Sequence, residues 1–79
     1  MLTLHINGQP KNLDLAAPAT IAALLGHLDI KLDRVAVEHN GNIVARTSWS
    51  TVKLAAGDRL EIVHFVGGGL NENLRHPIL

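Results

Sequence analysis

Glu61-Ile62-Val63-His64-Phe65-Val66 is an apolar, β-branched run, and Gly67-Gly68-Gly69 follows it directly. Such a run reads as a buried strand. Three glycines cannot continue it, because each lacks a side chain to pack and adds backbone freedom. A flexible tail without side chains therefore leaves the sheet after Val66. Its physical use is entry into a slot too narrow for a Cβ, although a glycine triplet taken alone is more often a plain linker. Within the strand, Leu60 and Ile62 alternate toward one face. Glu61, Val63 and Phe65 alternate toward the other, which makes Val63 and Phe65 candidate docking contacts beside the tail unless neighbouring strands and the loop around Trp49 cover them.

The preceding chain supplies the rest of a small sheet. Leu2, Leu4 and Ile6 alternate with Thr3 and His5, as in a half-buried strand. Asn7-Gly8 is a hairpin signal, since both residues tolerate positive φ. Residues 11–15 then alternate again, with Leu13 and Leu15 inward. Pro18 breaks the strand and Thr20 is positioned as a helix N-cap. Ile21, Leu24, Leu25 and Leu28 fall at i, i+3, i+4 and i+7, one apolar stripe on a helix over residues 21–28. Gly26 costs that helix about 1 kcal/mol against alanine, and its expected role is close approach to a strand. Residues 34–38 read as a third strand with Val35 and Val37 inward. Asn40-Gly41 signals a second turn, and Ile43 to Ala45 a short return. Trp49, the only tryptophan, reads as a lid on the core.

Seventy-nine residues make one small domain with a single modest core. The composition, 47% hydrophobic and 18% charged, is that of a folded chain. Only 3% of residues are aromatic, so little is left for stacking on bases. Lys plus Arg and Asp plus Glu number 7 each. The zero net charge gives no pull toward nucleic acid or an anionic membrane. No apolar run approaches membrane-spanning length and no signal peptide is apparent, so the expected compartment is the cytoplasm. Cysteine is absent, which excludes disulfides, thiolate metal sites and a cysteine persulfide.

The chain carries no catalytic constellation of its own. The histidines, His5, His27, His39, His64 and His76, show no metal-ligand spacing, and no metal is expected. His64 reads as a half-exposed strand residue. The carboxylates are scattered singly, Ser48 and Ser50 lack a nucleophile elbow, and the glycines are not followed by the Lys-Ser or Lys-Thr of a phosphate-binding loop. These absences favour a carrier or binding module over an enzyme.

The run from Gly57 through Asp58-Arg59-Leu60-Glu61-Ile62-Val63-His64-Phe65-Val66 to Gly69 resembles the C-terminus of the ThiS family, the small sulfur carriers of thiamine biosynthesis. Residues 1–69 are also similar to that family in length and order of elements. The resemblance implies an α+β fold of the β-grasp, ubiquitin-like type: a mixed sheet of four to five strands with one main helix across one face. It implies a β-grasp domain over residues 1–66, a flexible glycine tail at 67–69 and an extension of undetermined status at 70–79.

The resemblance further implies that the Gly69 carboxylate is adenylated by a ubiquitin-activating-like adenylyltransferase (ThiF-like) that consumes ATP. It implies conversion to a thiocarboxylate by a sulfur donor enzyme, and delivery of the sulfur to a thiazole synthase (ThiG-like). Gly67 and Gly68 would thread the tail, Val63 and Phe65 would dock the partners, and the carrier itself would bind no cofactor. The extension departs from the family pattern, in which the chain ends on the glycine carboxylate. A fusion remnant, a natural segment removed by a protease, and loss of the carrier role all fit it. Two alternatives stay open: a carrier like the small subunit of molybdopterin synthase, which uses the same tail chemistry, or a non-carrier β-grasp interaction domain whose glycines are a linker.

Overall fold

A computed structural model describes residues 1–16, 18–30, 34–66 and 74–77. The first strand, β1 (Leu2–Ile6), is joined to β2 (Gln9–Leu13) by Asn7 and Gly8, both at positive φ (51° and 84°). Two residues of that conformation match the twist of paired strands and fix their register. Leu2 therefore faces Leu13, and Ile6 faces Gln9. The second strand starts at Gln9 rather than at the expected residue 11, because the tight turn leaves no slack. It ends at Leu13, and Leu15 packs at the margin of the core.

A two-residue strand, β3 (Ala19–Thr20), leads into helix α1 (Ile21–His27). The Thr20 hydroxyl accepts from Ala23 N–H at 3.1 Å, so Thr20 is the N-cap. Ile21 N–H donates to Val52 O (3.2 Å) and Ala22 N–H to Trp49 O (2.9 Å). Backbone groups that the first helical turn leaves without intrahelical partners are thus satisfied by the loop around Trp49. At the other end Ile30 N–H reaches Leu25 O (3.0 Å) and Asp29 N–H reaches Gly26 O (3.1 Å), with Asp29 at φ 57°. That pair of bonds is a Schellman cap, and it stops the helix one residue before Leu28. Gly26 corrects the sequence expectation: it is exposed, and a Cβ built on it meets nothing within 4 Å. No strand approaches it there.

Next come β4 (Val35–His39) and β5 (Asn42–Val44), joined by Asn40 and Gly41 at φ 50° and 90°. A 3₁₀ turn at Arg46–Ser48 leads through Trp49 to the two-residue strand β6 (Lys53–Leu54), which pairs with β3. The long strand β7 (Arg59–Val66) follows, and β8 (Leu74–Pro77) returns along it. The order in the main sheet is β2-β1-β7-β4-β5, with β8 also on β7. β1 and β7 run parallel and the other pairs antiparallel. This mixed sheet with one helix is the β-grasp arrangement that the family resemblance implies.

Leu4, Ile6, Ile21, Leu24, Leu25, Val37, Leu60 and Ile62 are fully buried and form the core together with Leu2, Leu13, Val35 and Leu54. Trp49 joins them as the expected lid. Its ring is buried, its Nε1 donates to Val44 O (3.1 Å), and the Arg46 guanidinium lies 5.1 Å from the ring centroid.

One polar cluster ties the second turn to the start of β7. His39 Nε2 lies 2.7 Å from Asp58 Oδ2, and the same oxygen accepts from Ala55 N–H at 2.9 Å. Asn40 Nδ2 donates to Asp58 Oδ1 (3.3 Å), and Asn40 Oδ1 accepts from Arg59 N–H (2.8 Å). Burial works to raise the Asp58 pKa. The hydrogen bonds from Ala55, His39 and Asn40, with the His39 charge, outweigh it and hold the carboxyl below the ordinary aspartate value. A folded-state pKa that is lowered contributes stability above the unfolded value, and that stability disappears as pH falls through the folded one.

Three stability outcomes follow from these contacts. Leu24→Ala removes a fully buried side chain and lowers unfolding free energy by about 2–5 kcal/mol. Gly26→Ala, in open space on the helix, raises it by up to about 1 kcal/mol. Chemical denaturation checks both. On acidification from about pH 5 to about pH 2, Asp58→Asn loses less of its melting temperature than the parent chain does. A parallel fall in the two proteins contradicts the role given to the Asp58 carboxylate.

Candidate functional site

β7 carries the residues singled out in the sequence. Gly67, Gly68 and Gly69 lie outside the described residues, as does the side chain of Phe65. The structure places the strand that delivers them. β7 has β4 along one edge, from His39 opposite Leu60 to Val35 opposite His64. Along the other edge β1 pairs only with Arg59 and Leu60, and β8 pairs with residues 63–66. β8 is on the β1 side, because Val63 and His64 already face Ala36 and Val35 of β4.

Val63 is 7% exposed and stands outside the cluster that packs under the helix. It does not lie open on the surface of this structure. Pro77 is its partner in register on β8. His64 is half-buried, between Val35 on β4 and His76 on β8, in line with its expected placement as a strand residue.

On the face away from the helix, a cavity of 660 Å³ is lined by His5, Gly8, Glu38, Asn40, Gly41, Arg59, Leu60 and Glu61. The register sets His5 beside Arg59 and Glu38 beside Glu61. Like charges directly opposed across a ladder are unfavourable, so the second pair is a feature that packing alone does not select. The two Asn-Gly turns form the rim, and the Asp58 cluster holds Asn40 there. The cavity is at the wrong end of the strand for the tail: Leu60 and Val66 are about 20 Å apart along β7. Its lining holds no serine, threonine, lysine or cysteine to serve as a nucleophile.

Among the described residues, no group of three or more His, Cys, Asp or Glu is placed to hold a metal ion. No helix among them is long and apolar enough to cross a membrane. Chemically, the arrangement is a hydrogen-bonded sheet with β7 as a central strand. Sequence inspection missed β8, because four residues without alternation carry no periodic signal. It also missed the opposed pair Glu38 and Glu61, whose juxtaposition depends on strand register.

The ThiS family model matches residues 4–69, so it stops on the last of the three glycines. The solved ThiS thiamine biosynthesis protein of Geobacter metallireducens superimposes with a TM-score of 0.77 at 32% identity, over 86% of this chain and 100% of that one. The sulfur carrier protein ThiS of Bacillus subtilis is 42% identical over 50 residues, 63% of this chain and 76% of that protein. A thiazole synthase of Magnetococcus marinus is 40% identical over 76 residues, 96% of this chain and 21% of that protein. The chain thus spans about a fifth of the thiazole synthases it matches. The Magnetococcus similarity leaves at most three residues of this chain outside it, so it runs through the glycines into β8. By sequence and by fold alike, the chain belongs to the ThiS family.

Proposed function

We propose that this chain is a sulfur carrier of thiamine biosynthesis and that Gly69 is the residue that bears the sulfur. The observation that carries the proposal is the end of the family match at Gly69, the last glycine of the triplet that directly follows β7 in the sequence. A carboxylate is a poor electrophile. Attack of its oxygen on the α-phosphate of ATP releases pyrophosphate and leaves an acyl adenylate. Hydrosulfide, or an equivalent sulfide-level nucleophile supplied by a donor enzyme, then attacks the acyl carbon, displaces AMP and leaves the thiocarboxylate. The carrier brings no catalytic group to these steps; a ubiquitin-activating-like adenylyltransferase supplies the first. Gly67 and Gly68 let the backbone pass a constriction that a Cβ would block.

Thiazole synthase is the proposed acceptor of the sulfur. The names of the relatives support this, since similarity to this chain is found within proteins named thiazole synthase. The same similarity continues past Gly69, which supports residues 70–79 as a natural part of the sequence rather than a foreign tail. In this reading the Gly69–Leu70 peptide bond is hydrolysed before activation, because an amide cannot form an acyl adenylate. Phe65 is proposed to contact the partner enzymes beside the tail; Val63, the other docking candidate, is buried in this structure and is not proposed as a contact.

Pyrophosphate exchange with a ubiquitin-activating-like adenylyltransferase and ATP tests the proposal on three proteins. The full chain is inactive and the chain truncated after Gly69 is active. The truncated chain with Gly68→Val loses about 100-fold in activity, the scale of a misplaced reacting group, with its melting temperature unchanged. Equal inactivity of all three with a competent partner favours a non-carrier interaction domain. In the truncated chain, Phe65→Asp weakens partner binding at least about tenfold and leaves the melting temperature nearly unchanged. Unfolding of that variant instead assigns Phe65 to the core.

A further inference from the structure

The sheet face away from the helix carries its charges in rows across the strands. Residues opposite one another in register share a face, and so do residues two apart along a strand. One row is His5 on β1 and Arg59 on β7. Asn40 continues it on the β4 side, where its N–H donates to Arg59 O (2.8 Å) and its Oδ1 accepts from Arg59 N–H (2.8 Å). The next row is Glu61 on β7, Glu38 on β4 and Ile43 on β5. Arg59 and Glu61 are exposed, and their Cα atoms are about 7 Å apart along the strand. Neither side chain forms an ion pair with another described residue. Ile43 is 75% exposed at the end of the acidic row.

A guanidinium and a carboxylate, both exposed and one row apart, make a surface that complements itself. Consider a two-fold axis in the plane of the face, perpendicular to β7 and midway between Arg59 and Glu61. It turns one sheet over onto another with the strands antiparallel, within the aligned geometry of packed sheets. Arg59 then meets Glu61 of a second copy, and Glu61 meets the second copy's Arg59. Asn40 falls opposite Glu38, and the contact takes Ile43 out of water. An axis along β7 would instead set Arg59 on Arg59 and Glu61 on Glu61. The net charge of each chain is zero, so no long-range repulsion opposes the approach.

We propose that this face pairs with the same face of a second copy of the chain, as a weak isologous dimer held by reciprocal Arg59–Glu61 ion pairs. The glycine tail and its chemistry do not enter the contact.

Sedimentation equilibrium of the full chain tests this at concentrations up to about 1 mM. The parent chain shows a monomer–dimer equilibrium with a Kd below about 1 mM. Association weakens as salt is raised to about 1 M, where the screening length falls to about 3 Å. Arg59→Glu alone and Glu61→Arg alone each weaken it at least about tenfold, because each sets like charges on one another. An equimolar mixture of these two variants associates again, since each supplies the charge that the other lacks. The chain carrying both substitutions keeps zero net charge and regains association with itself, which separates specific pairing from net charge. All variants keep the parent's melting temperature, because both side chains are exposed. A parent chain that stays monomeric over this range overturns the proposal. So do single variants that associate as the parent does, and a double variant that stays monomeric. No arm reads adenylation. A chain that dimerises in this way yet never exchanges pyrophosphate overturns the carrier function alone.

Discussion

A central strand has to satisfy its backbone hydrogen bonds along two edges at once, and β7 does so with four different partners. β4 covers one edge from Leu60 to His64. The other is shared by β1, the side chain of Asn7 and β8. Leu60 and Ile62 also anchor the helix-side core from this strand. Changing the register of β7 by one residue would turn both out of the core and remove the bond acceptors that Asn7 uses. The course of β7 is therefore set by the same contacts that hold the domain together.

Much of this fold was legible in the residues because the signals were local. Asn7-Gly8 and Asn40-Gly41 impose positive φ, and each produced the hairpin it signals. The alternation in β1 and β7 and the stripe Ile21, Leu24, Leu25 located the core faces. Thr20 capped the helix as its chemistry suggests. The elements that were not legible depend on tertiary contacts. β3 and β6 are two residues each and exist by pairing with one another. Gly26 was read as a close approach, yet it is exposed; glycine in a helix carries no mark that separates the two cases. β8 has neither alternation nor β-branched enrichment, and its strand character comes from the edge it meets.

The candidate site divides in the same way. Gly67, Gly68 and Gly69 were visible as a side-chain-free run after a strand, and the family resemblance gave them a chemical role. Val63 was legible as an apolar residue facing away from the helix, whereas its burial was not, because the sequence does not show what runs beside it. The cavity between the two Asn-Gly turns assembles residues far apart in sequence, and lies at the end of β7 away from the glycines. A carrier has little use for a reaction pocket of its own. What it requires is a stable core, a defined exit point and a surface that several enzymes recognise in turn.

The central claim is that Gly69 becomes the terminal residue and carries sulfur. Intact-mass spectrometry of the protein purified from its own host, grown without thiamine, addresses that claim most directly. The account predicts a chain that ends at Gly69, part of it heavier by the replacement of one oxygen with sulfur. A population that retains residues 70–79 throughout, with no sulfur-bearing form under conditions where the pathway is active, would contradict it.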